Sequence, residues 1–323
     1  MVSVCKSIRI LALSVCLLAA AIFQAGAQND TTYYVKPEGD WHFRLRSDFF
    51  RSDALVGVPY RSQYAFVNAT TGSRFKQCIG AGWKDLFLNV GFNPFDNKKD
   101  PELIINSYGN KIGFNFVAGF SNSMKGNIGV GNLGSDIEHT PFDEGGLLNI
   151  YARAKLYYVF NWKRFSFSAA MNQNRIQKRS AGSPIITAKA YMVNMYPQAN
   201  PSDHFSLNDG FVSFAFGLGG GYAYNWVPVD KLLIHASFTA EYGFLNRTTF
   251  ITSLDDTNHV RSNTVFMFSG NLSAVYYFGR VYLGAFASSD SLLSVNFSDK
   301  EDNTDFIITN RKRDAHVAVG IRF

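Results

Sequence analysis

Beyond residue 27, the chain is poor in cysteine, in long apolar runs and in concentrated charge of either sign. Cys5 and Cys16 precede that point, so Cys78 alone remains and an internal disulfide is excluded. The basic residues are spread along the chain, a distribution that does not predict nucleic-acid binding. No later segment has the ~20 consecutive apolar residues of a membrane-spanning helix.

Residues 1–27 have the features of a secretory signal. Lys6 and Arg9 precede an apolar run, and small residues precede a predicted cleavage site after Ala27. The apolar run is too short to cross a bilayer as a helix. A membrane anchor and a lipoprotein attached through Cys16 are the alternatives, and the bulky residue before that cysteine disfavours lipid attachment.

Alternation of apolar and other residues with a period of two recurs after the signal. Phe114 and Phe116 share one face of a predicted strand, with Gly113 and Asn115 on the other. The last nine residues alternate in the same way and end on Phe323. An exported chain that closes on an amphipathic strand with an aromatic terminus is typical of bacterial outer-membrane β-barrels.

The pattern predicts an all-β fold, a closed antiparallel transmembrane β-barrel of about twelve strands over residues 41–323, preceded by a periplasmic lead-in at 28–40. The predicted strands are 41–50, 73–82, 86–92, 111–121, 124–132, 148–160, 165–175, 210–225, 232–246, 262–277, 281–297 and 313–323. Short connections alternate with long polar ones, as periplasmic turns alternate with external loops in such barrels. Residues 60–69 are interpreted as a loop or strand extension because a thirteenth strand would break this parity. Ten and fourteen strands remain open.

Aromatic residues cluster beside the short connections. Tyr222, Tyr224 and Trp226 precede one of them, and Trp83 lies at another. Such rings favour the level of the lipid headgroups and predict an interfacial girdle. A soluble β-sandwich is the alternative, although its aromatic residues need not gather beside one set of turns.

Four segments carry a resemblance to a known family: residues 177–183, 219–225 and 268–271, and the closing strand. Over nearly all of its length after the signal, the chain resembles a Bacteroidetes family of predicted outer-membrane barrels recorded as a domain of unknown function. The resemblance implies a bacterial outer-membrane location and supplies no catalytic residues. Pro184 departs from the pattern, because proline cannot donate a ladder hydrogen bond and a strand there would begin beyond it.

Several basic side chains fall on faces that we predict to line the lumen: Arg153, Lys155, Arg175 and Arg322. A charge facing lipid near the midplane would cost ~2–4 kcal/mol. With small neighbours such as Ser166, Ser168, Gly217 and Gly219, these cations could form a constriction that favours anions. Alternatively, they pair with inward carboxylates and fill a narrow barrel.

Lys178 and Arg179 lie in a basic segment that we predict to begin the longest external loop. Because arginine side chains match the geometry of phosphate, this segment is a candidate contact for lipopolysaccharide or another ligand. A solvated loop is the alternative.

The sequence predicts no enzyme, cofactor or metal site. Gly119-Phe120-Ser121-Asn122-Ser123 lacks the last glycine of a nucleophile elbow, and no His-x-x-x-His pair suggests a metal. Three functions remain. The first is a passive channel or binding barrel for a small polar solute, and the basic lumen favours an anion. The second is a structural or docking barrel with a filled lumen that acts through its external loops, and the third is a lipid hydrolase with a Ser–His pair at one rim. The expected partners are outer-membrane lipid, lipopolysaccharide and the barrel-assembly machinery, which would recognise the strand ending in Phe323.

Overall fold

The structure is a computed structural model that describes residues 30–60, 63–96, 100–131, 138–198, 210–251, 257–260, 264–296 and 306–323. The predicted signal and its cleavage site lie outside these residues. Within the described residues, the longest helix has five residues, and no helix there is long and apolar enough to cross a membrane.

Strands make up most of the described chain. They are β1 Tyr34–Val35, β2 Trp41–Tyr60, β3 Gln63–Thr70, β4 Arg74–Trp83, β5 Leu86–Phe92, β6 Glu102–Tyr108, β7 Ile112–Gly131, β8 Glu138–Val159, β9 Ile176–Gln177, β10 Ala181–Pro197, β11 Phe211–Val229, β12 Leu232–Ile251, β13 Thr257–Val260, β14 Thr264–Phe278, β15 Val281–Asn296 and β16 Phe306–Arg322. The helix α1 spans Phe167–Met171.

Twelve of these strands close into a ring by antiparallel pairing, in the order β2–β4–β5–β6–β7–β8–β10–β11–β12–β14–β15–β16. The last strand returns to the first, with Arg322 opposite His42 and Ile307 opposite Gly57. Closure leaves the ring without the unpaired edge that hydrocarbon would penalise. The predicted transmembrane barrel of about twelve strands is confirmed. Residues 63–70 form a strand extension, because β3 pairs with the far halves of β2 and β7.

The strand count is right although several predicted segments are wrong. Residues 111–121 and 124–132 form one strand, β7, rather than two. Residues 165–175 contain α1 rather than a strand. The predicted loops 93–110 and 176–209 contain the strands β6 and β10. Two surplus strands and two missed strands therefore cancel in the count.

Local irregularities explain these errors. The polar residues between Ser121 and Gly126 suggested a turn, but they form irregularities in the pairing of β7 with β8. Pro184 suggested that no strand could begin before it, yet β10 begins at Ala181 and places Pro184 opposite Tyr222. Pro184 lies near the start of β10, where the loss of one ladder hydrogen bond costs less than it would in the middle of the strand.

The barrel has two distinct ends. The turn end carries residue 30, the terminal Phe323 and short turns such as Lys84–Asp85, whereas the loop end carries the longer connections. Outward side chains between the two ends are largely apolar, as in Leu45, Ile79 and Leu283. At the turn end, exposed aromatic side chains form the girdle expected from the sequence: Trp41, Trp83, Phe160, Tyr222, Tyr224, Trp226, Tyr276 and Phe278.

Candidate functional site

The lumen is the candidate functional site, and its turn end is filled by a segment of the chain that we call the plug, residues 160–180. This segment connects β8 to β10 and folds inward. Ser166 caps α1, since its Oγ accepts a hydrogen bond from the Ala169 amide at 3.2 Å. Phe167 packs against both Tyr108 and Tyr157, with ring centroids 5.9 and 5.0 Å away.

Side chains of the barrel wall hold the plug by its backbone carbonyls. Arg44 donates to the carbonyl oxygen of Met171 at 3.1 Å, and Arg322 donates to that of Gln173 at 3.2 Å. Asn225 donates to the Ser166 carbonyl at 2.8 Å. These side-chain donors bind backbone carbonyls at three points of the plug and so fix its position against the wall.

Residues 30–36, which we call the strap, lie across the plug at the turn end. The strap strand β1 pairs with β9 of the plug, with Tyr34 opposite Gln177. The Tyr34 hydroxyl donates to the Trp162 carbonyl at 2.7 Å, and the Lys178 amide donates to the Tyr33 carbonyl at 2.7 Å. Burial raises the pKa of Tyr34 to about 12. These contacts therefore join the plug to the strap, which precedes the first long barrel strand, β2.

A layer of buried ion pairs crosses the lumen above the plug, and we call it the ionic layer. The Asp290 carboxylate on β15 forms an ion pair with Arg153 from β8, with NH1 and Oδ2 3.1 Å apart. It forms a second ion pair with Lys189 from β10. Glu241 on β12 forms an ion pair with Lys155, with Nζ and Oε1 3.2 Å apart. These residues belong to well-separated strands, so their side chains span the cross-section.

Two further groups extend the ionic layer to the opposite wall. The Glu102 carboxylate on β6 forms ion pairs with both Lys76 and Lys312. The Tyr151 hydroxyl also donates a hydrogen bond to this carboxylate at 2.9 Å. Asp48 accepts a bidentate contact from its neighbour Arg46 on β2, through Nε at 2.7 Å and through NH2.

Cations outnumber carboxylates among the charged side chains that the barrel strands turn into the lumen between the plug and the level of Glu102. The cations are Arg44, Arg46, Lys76, Arg153, Lys155, Lys189, Lys312 and Arg322, and the carboxylates are Asp48, Glu102, Glu241, Asp290 and Asp314. Two of the carboxylates each serve two cations, while Arg44 and Arg322 donate to neutral oxygens. The interior is therefore electropositive.

Above the ionic layer, an apolar layer occupies the lumen toward the loop end. Its buried members come from most of the wall: Ala54, Val56, Ala69, Met124, Leu147, Tyr191, Val193, Met195, Phe211, Ala215, Val265, Met267, Leu292, Phe306 and Ile308. The lumen is thus filled successively by apolar side chains, ion pairs and the plug.

One cavity of about 100 Å³ lies between the ionic layer and the plug. Arg44, Arg46 and Arg153 line it together with Asp290 and Asp314. The buried Nε atoms of Arg44 and Arg153 have no acceptor within the described residues. A space of this size holds on the order of three water-sized groups.

The profile of one protein family, the domain of unknown function DUF4421, matches residues 28–323. The chain belongs to the DUF4421 family. Among proteins with curated descriptions, none matches this DUF4421 chain.

Several solved barrels are similar to the DUF4421 chain at low identity. The outer-membrane protease OmpT of Escherichia coli is 8% identical with a TM-score of 0.45, covering 88% of this chain and 97% of its own. OprG of Pseudomonas aeruginosa is 9% identical with a TM-score of 0.33, covering 90% and 99%. The translocator domain of NalP from Neisseria meningitidis is 9% identical with a TM-score of 0.35, covering 98% of both. All three are too distant to carry a functional argument.

The DUF4421 structure places the four predicted lumen residues inside the barrel. Arg153 and Lys155 join the ionic layer, and Arg322 holds the plug. Arg175 lies in the plug itself and contacts Asp85 at 3.2 Å. Ser166 and Ser168 also belong to the plug rather than to a strand.

The predicted external position of Lys178 and Arg179 is wrong. Both lie at the turn end, where their amides donate to the Tyr33 carbonyl of the strap. The connection that contains them is long because it fills the lumen, not because it is external. Lipopolysaccharide contact was predicted from an external position, and these residues do not have one.

Sequence reasoning missed Asp290 and Glu102, two of the carboxylates that complete the DUF4421 ionic layer. Asp290 has the inward parity of its strand, so alternation could have identified it as a lumen residue, whereas Glu102 was missed because β6 was predicted to be a loop. Their partners depend on strand register, which one sequence does not supply. Lys189 was missed because β10 was predicted to be a loop. Within the described residues, no group of three or more His, Cys, Asp or Glu side chains could hold a metal ion.

Proposed function

We propose that this protein is an outer-membrane barrel that is closed to free diffusion and acts through the surfaces at its two ends. The observation that carries the proposal is the succession of apolar layer, ionic layer and plug along one lumen. A barrel of this size can be open or filled, and here side chains and the plug fill it. The proposal adopts the docking alternative over the passive channel.

The energy needed to open such a lumen supports this choice. A solute path would have to separate buried ion pairs such as Arg153–Asp290 and Lys76–Glu102. Leaving one partner of a buried pair uncompensated costs roughly 3–5 kcal/mol. Withdrawal of the plug would also expose Phe167 and break the strand pairing with the strap. Spontaneous opening is therefore expected to be rare.

Planar-bilayer conductance tests the proposal directly. Refolded protein that shows the gel shift of a folded barrel is expected to give no steady conductance steps. A variant in which residues 164–179 are replaced by a glycine-serine linker, Asp290 and Arg153 by serine, and the apolar-layer residues Tyr191, Met267 and Phe306 by alanine should conduct, which shows that the assay detects this barrel when it is open. Reproducible steps from the wild-type chain would overturn the proposal.

A second candidate function is the binding of a small anion in the lumen. The cavity beside Arg44 and Arg153, the unused Nε donors of these residues and the electropositive interior favour it. Its size admits an ion such as sulfate and excludes larger solutes. If the plug moved, the same site would become a step on a path for anions.

Anion-dependent stability tests this second candidate. Sulfate at matched ionic strength should raise the unfolding midpoint of the wild-type chain relative to chloride, because a ligand that binds the folded state stabilises it. Arg153→Gln should abolish the difference, whereas Arg280→Gln at the exposed turn end should preserve it. Equal midpoints in the two salts would exclude a sulfate site.

The hydrolase alternative finds little support in the lumen. The Ser288 hydroxyl donates to Asp314 at 2.7 Å, and His316 contacts the same carboxylate with Nδ1 at 3.7 Å. A nucleophilic serine requires its hydroxyl to donate to the base that accepts its proton. Here the carboxylate takes that position and Phe286 stacks on the imidazole.

A further inference from the structure

The outer wall of the barrel changes character at one level on three neighbouring strands. Along β2, the outward residues from Trp41 to Phe49 are largely apolar, and the next outward residue is Arg51. On β16 the change comes at Arg313, and on β15 it comes at Ser289. The strand register aligns Ser289, Arg313 and Arg51 side by side.

The height of this row identifies its surroundings. Ten residues separate Trp41 in the aromatic girdle from Arg51. With a rise of about 3.3 Å per residue and the usual tilt of barrel strands, ten residues climb about 25 Å. That distance is the height of the apolar band of a transmembrane barrel. The row therefore lies where the acyl chains meet the headgroups of the external leaflet.

The row carries excess positive charge. Arg51 and Arg313 share one carboxylate, Asp53, through Nε of Arg51 at 2.7 Å and NH2 of Arg313. Both arginine side chains remain 49% exposed. Arg311, which the register places opposite Asp53, is also exposed and outward-facing. Three exposed arginines thus accompany one carboxylate in the row, and Arg51 and Arg313 contact it directly.

A groove of about 610 Å³ descends from these arginines into the apolar band. Its floor is made of small residues, including Gly270, Ala287 and Ala315, on three adjacent strands. Leu272 on one side and Phe49 on the other rise above this floor. The groove has the shape and polarity to hold an acyl chain whose headgroup lies at the arginines.

We propose that this groove binds a phosphorylated lipid of the external leaflet, with an acyl chain on the small-residue floor and the phosphate on Arg51 and Arg313. Arginine donors match phosphate oxygens in bidentate geometry, and the net positive charge of the row complements an anionic headgroup. The inference depends on the barrel spanning the membrane and is independent of whether its lumen conducts.

Native mass spectrometry of the detergent-solubilised full chain, with diphosphorylated lipid A as the probe, tests this site. Wild-type protein should retain bound lipid A at stoichiometric ratio and should not retain phosphatidylcholine supplied at the same concentration. The double variant Arg51→Gln/Arg313→Gln should bind at least about a hundredfold more weakly, since each arginine removed takes away a charge-assisted contact worth about tenfold or more. Arg280→Gln, an exposed substitution at the turn end, is the matched control and should bind as the wild type does.

A second variant separates lipid binding from simple attraction of phosphate. Gly270→Phe would place a ring in the groove, and a Cβ at this position has 3.9 Å to its nearest neighbour, the Ser237 carbonyl oxygen, so the barrel should fold normally. This variant should lose lipid A binding although every arginine is retained. If Gly270→Phe binds normally while the arginine variant does not, the headgroup binds without the groove and the proposed lipid site is wrong. Unchanged binding in both variants would also refute it.

Discussion

Arg153 and Asp290 join nearly opposite walls of the barrel, with the guanidinium NH1 3.1 Å from the carboxylate Oδ2. Their strands, β8 and β15, are five steps apart in a ring of twelve. Two side chains can therefore bridge the lumen, and the same carboxylate also holds Lys189. The charged groups of this barrel close its interior rather than line an open path.

Asp290→Asn tests how strongly the ionic layer stabilises the fold. The substitution leaves Arg153 and Lys189 buried without their carboxylate, and we expect the free energy of unfolding to fall by roughly 3–5 kcal/mol. Urea denaturation of the refolded barrel in lipid vesicles measures this change. Asp53→Asn, which affects the exposed pairs with Arg51 and Arg313, should cost about 1 kcal/mol or less. Equal losses of free energy of unfolding in the two variants would show that the buried ion pairs stabilise the fold no more than the exposed ones.

Glu102→Gln tests whether a carboxylate shared by two lysines behaves in the same way. Lys76 and Lys312 would both lose their charged partner, so destabilisation similar to that of Asp290→Asn is expected. Adding Lys312→Met to Glu102→Gln should restore part of the loss, because one uncompensated buried cation is removed. A double variant less stable than Glu102→Gln would contradict this account, provided that Lys312→Met alone is measured alongside.

The alternating pattern was sufficient for the barrel and its closing strand but not for the plug. Phe165, Phe167 and Ala169 alternate with serines as a strand would, yet they form a capped helix turn inside the lumen. In the plug every residue from Phe165 to Ala170 is buried, serines included, so the alternation does not reflect an exposed face. Periodicity over so few residues cannot separate a helix turn from a strand. The decision depends on tertiary contacts with Tyr108 and Tyr157, which no local pattern encodes.

The charged side chains of the lumen show the same difference between what one strand determines and what depends on contacts across the ring. The inward direction of Arg153 and Lys155 follows from the cost of charge in lipid, which is a property of each strand alone. Their pairing with Asp290 and Glu241 requires the curvature and diameter of the closed ring. The sequence therefore predicts a charged interior but not whether that interior is open.

Gly219→Val tests a close approach between two strands. A Cβ on Gly219 would lie 1.9 Å from the Ala240 carbonyl oxygen of β12, where no side chain fits without displacement of the backbone. We expect failure to form the heat-modifiable barrel, or a loss of several kcal/mol comparable to the larger values for overpacking. Gly270→Ala is the matched control, because its Cβ would have 3.9 Å to the nearest atom. Normal folding of Gly219→Val would show that β11 and β12 are less closely apposed than described.

Alkaline pH should release the strap from the plug. The pKa of buried Tyr34 is raised to about 12 from its usual value of 10, so folding favours the neutral phenol. The stabilisation is fully present below pH 10 and is lost as the pH rises through about 12. Limited proteolysis near residue 30 should accelerate over that interval in the wild type. Tyr34→Phe removes the titrating group and the 2.7 Å bond to Trp162, so its cleavage rate should be higher at neutral pH and should lack the Tyr34 titration step. An identical pH profile for the two proteins would assign the change to another group.

Phe167→Ala should loosen the plug while leaving the barrel closed around it. The ring packs against Tyr108 and Tyr157 in a buried aromatic cluster, and truncation of such a phenylalanine costs roughly 3–5 kcal/mol. Because the strand ladders do not depend on this ring, the loss should appear as local opening, with faster hydrogen exchange at the amides of residues 168–173 and little change in β14 or β15. Phe160→Ala removes an exposed girdle ring at the first residue of the plug and should leave exchange at residues 168–173 unaltered. Uniform acceleration across the strands would mean that the plug and barrel unfold as one unit, and the plug could then not move independently to admit a solute.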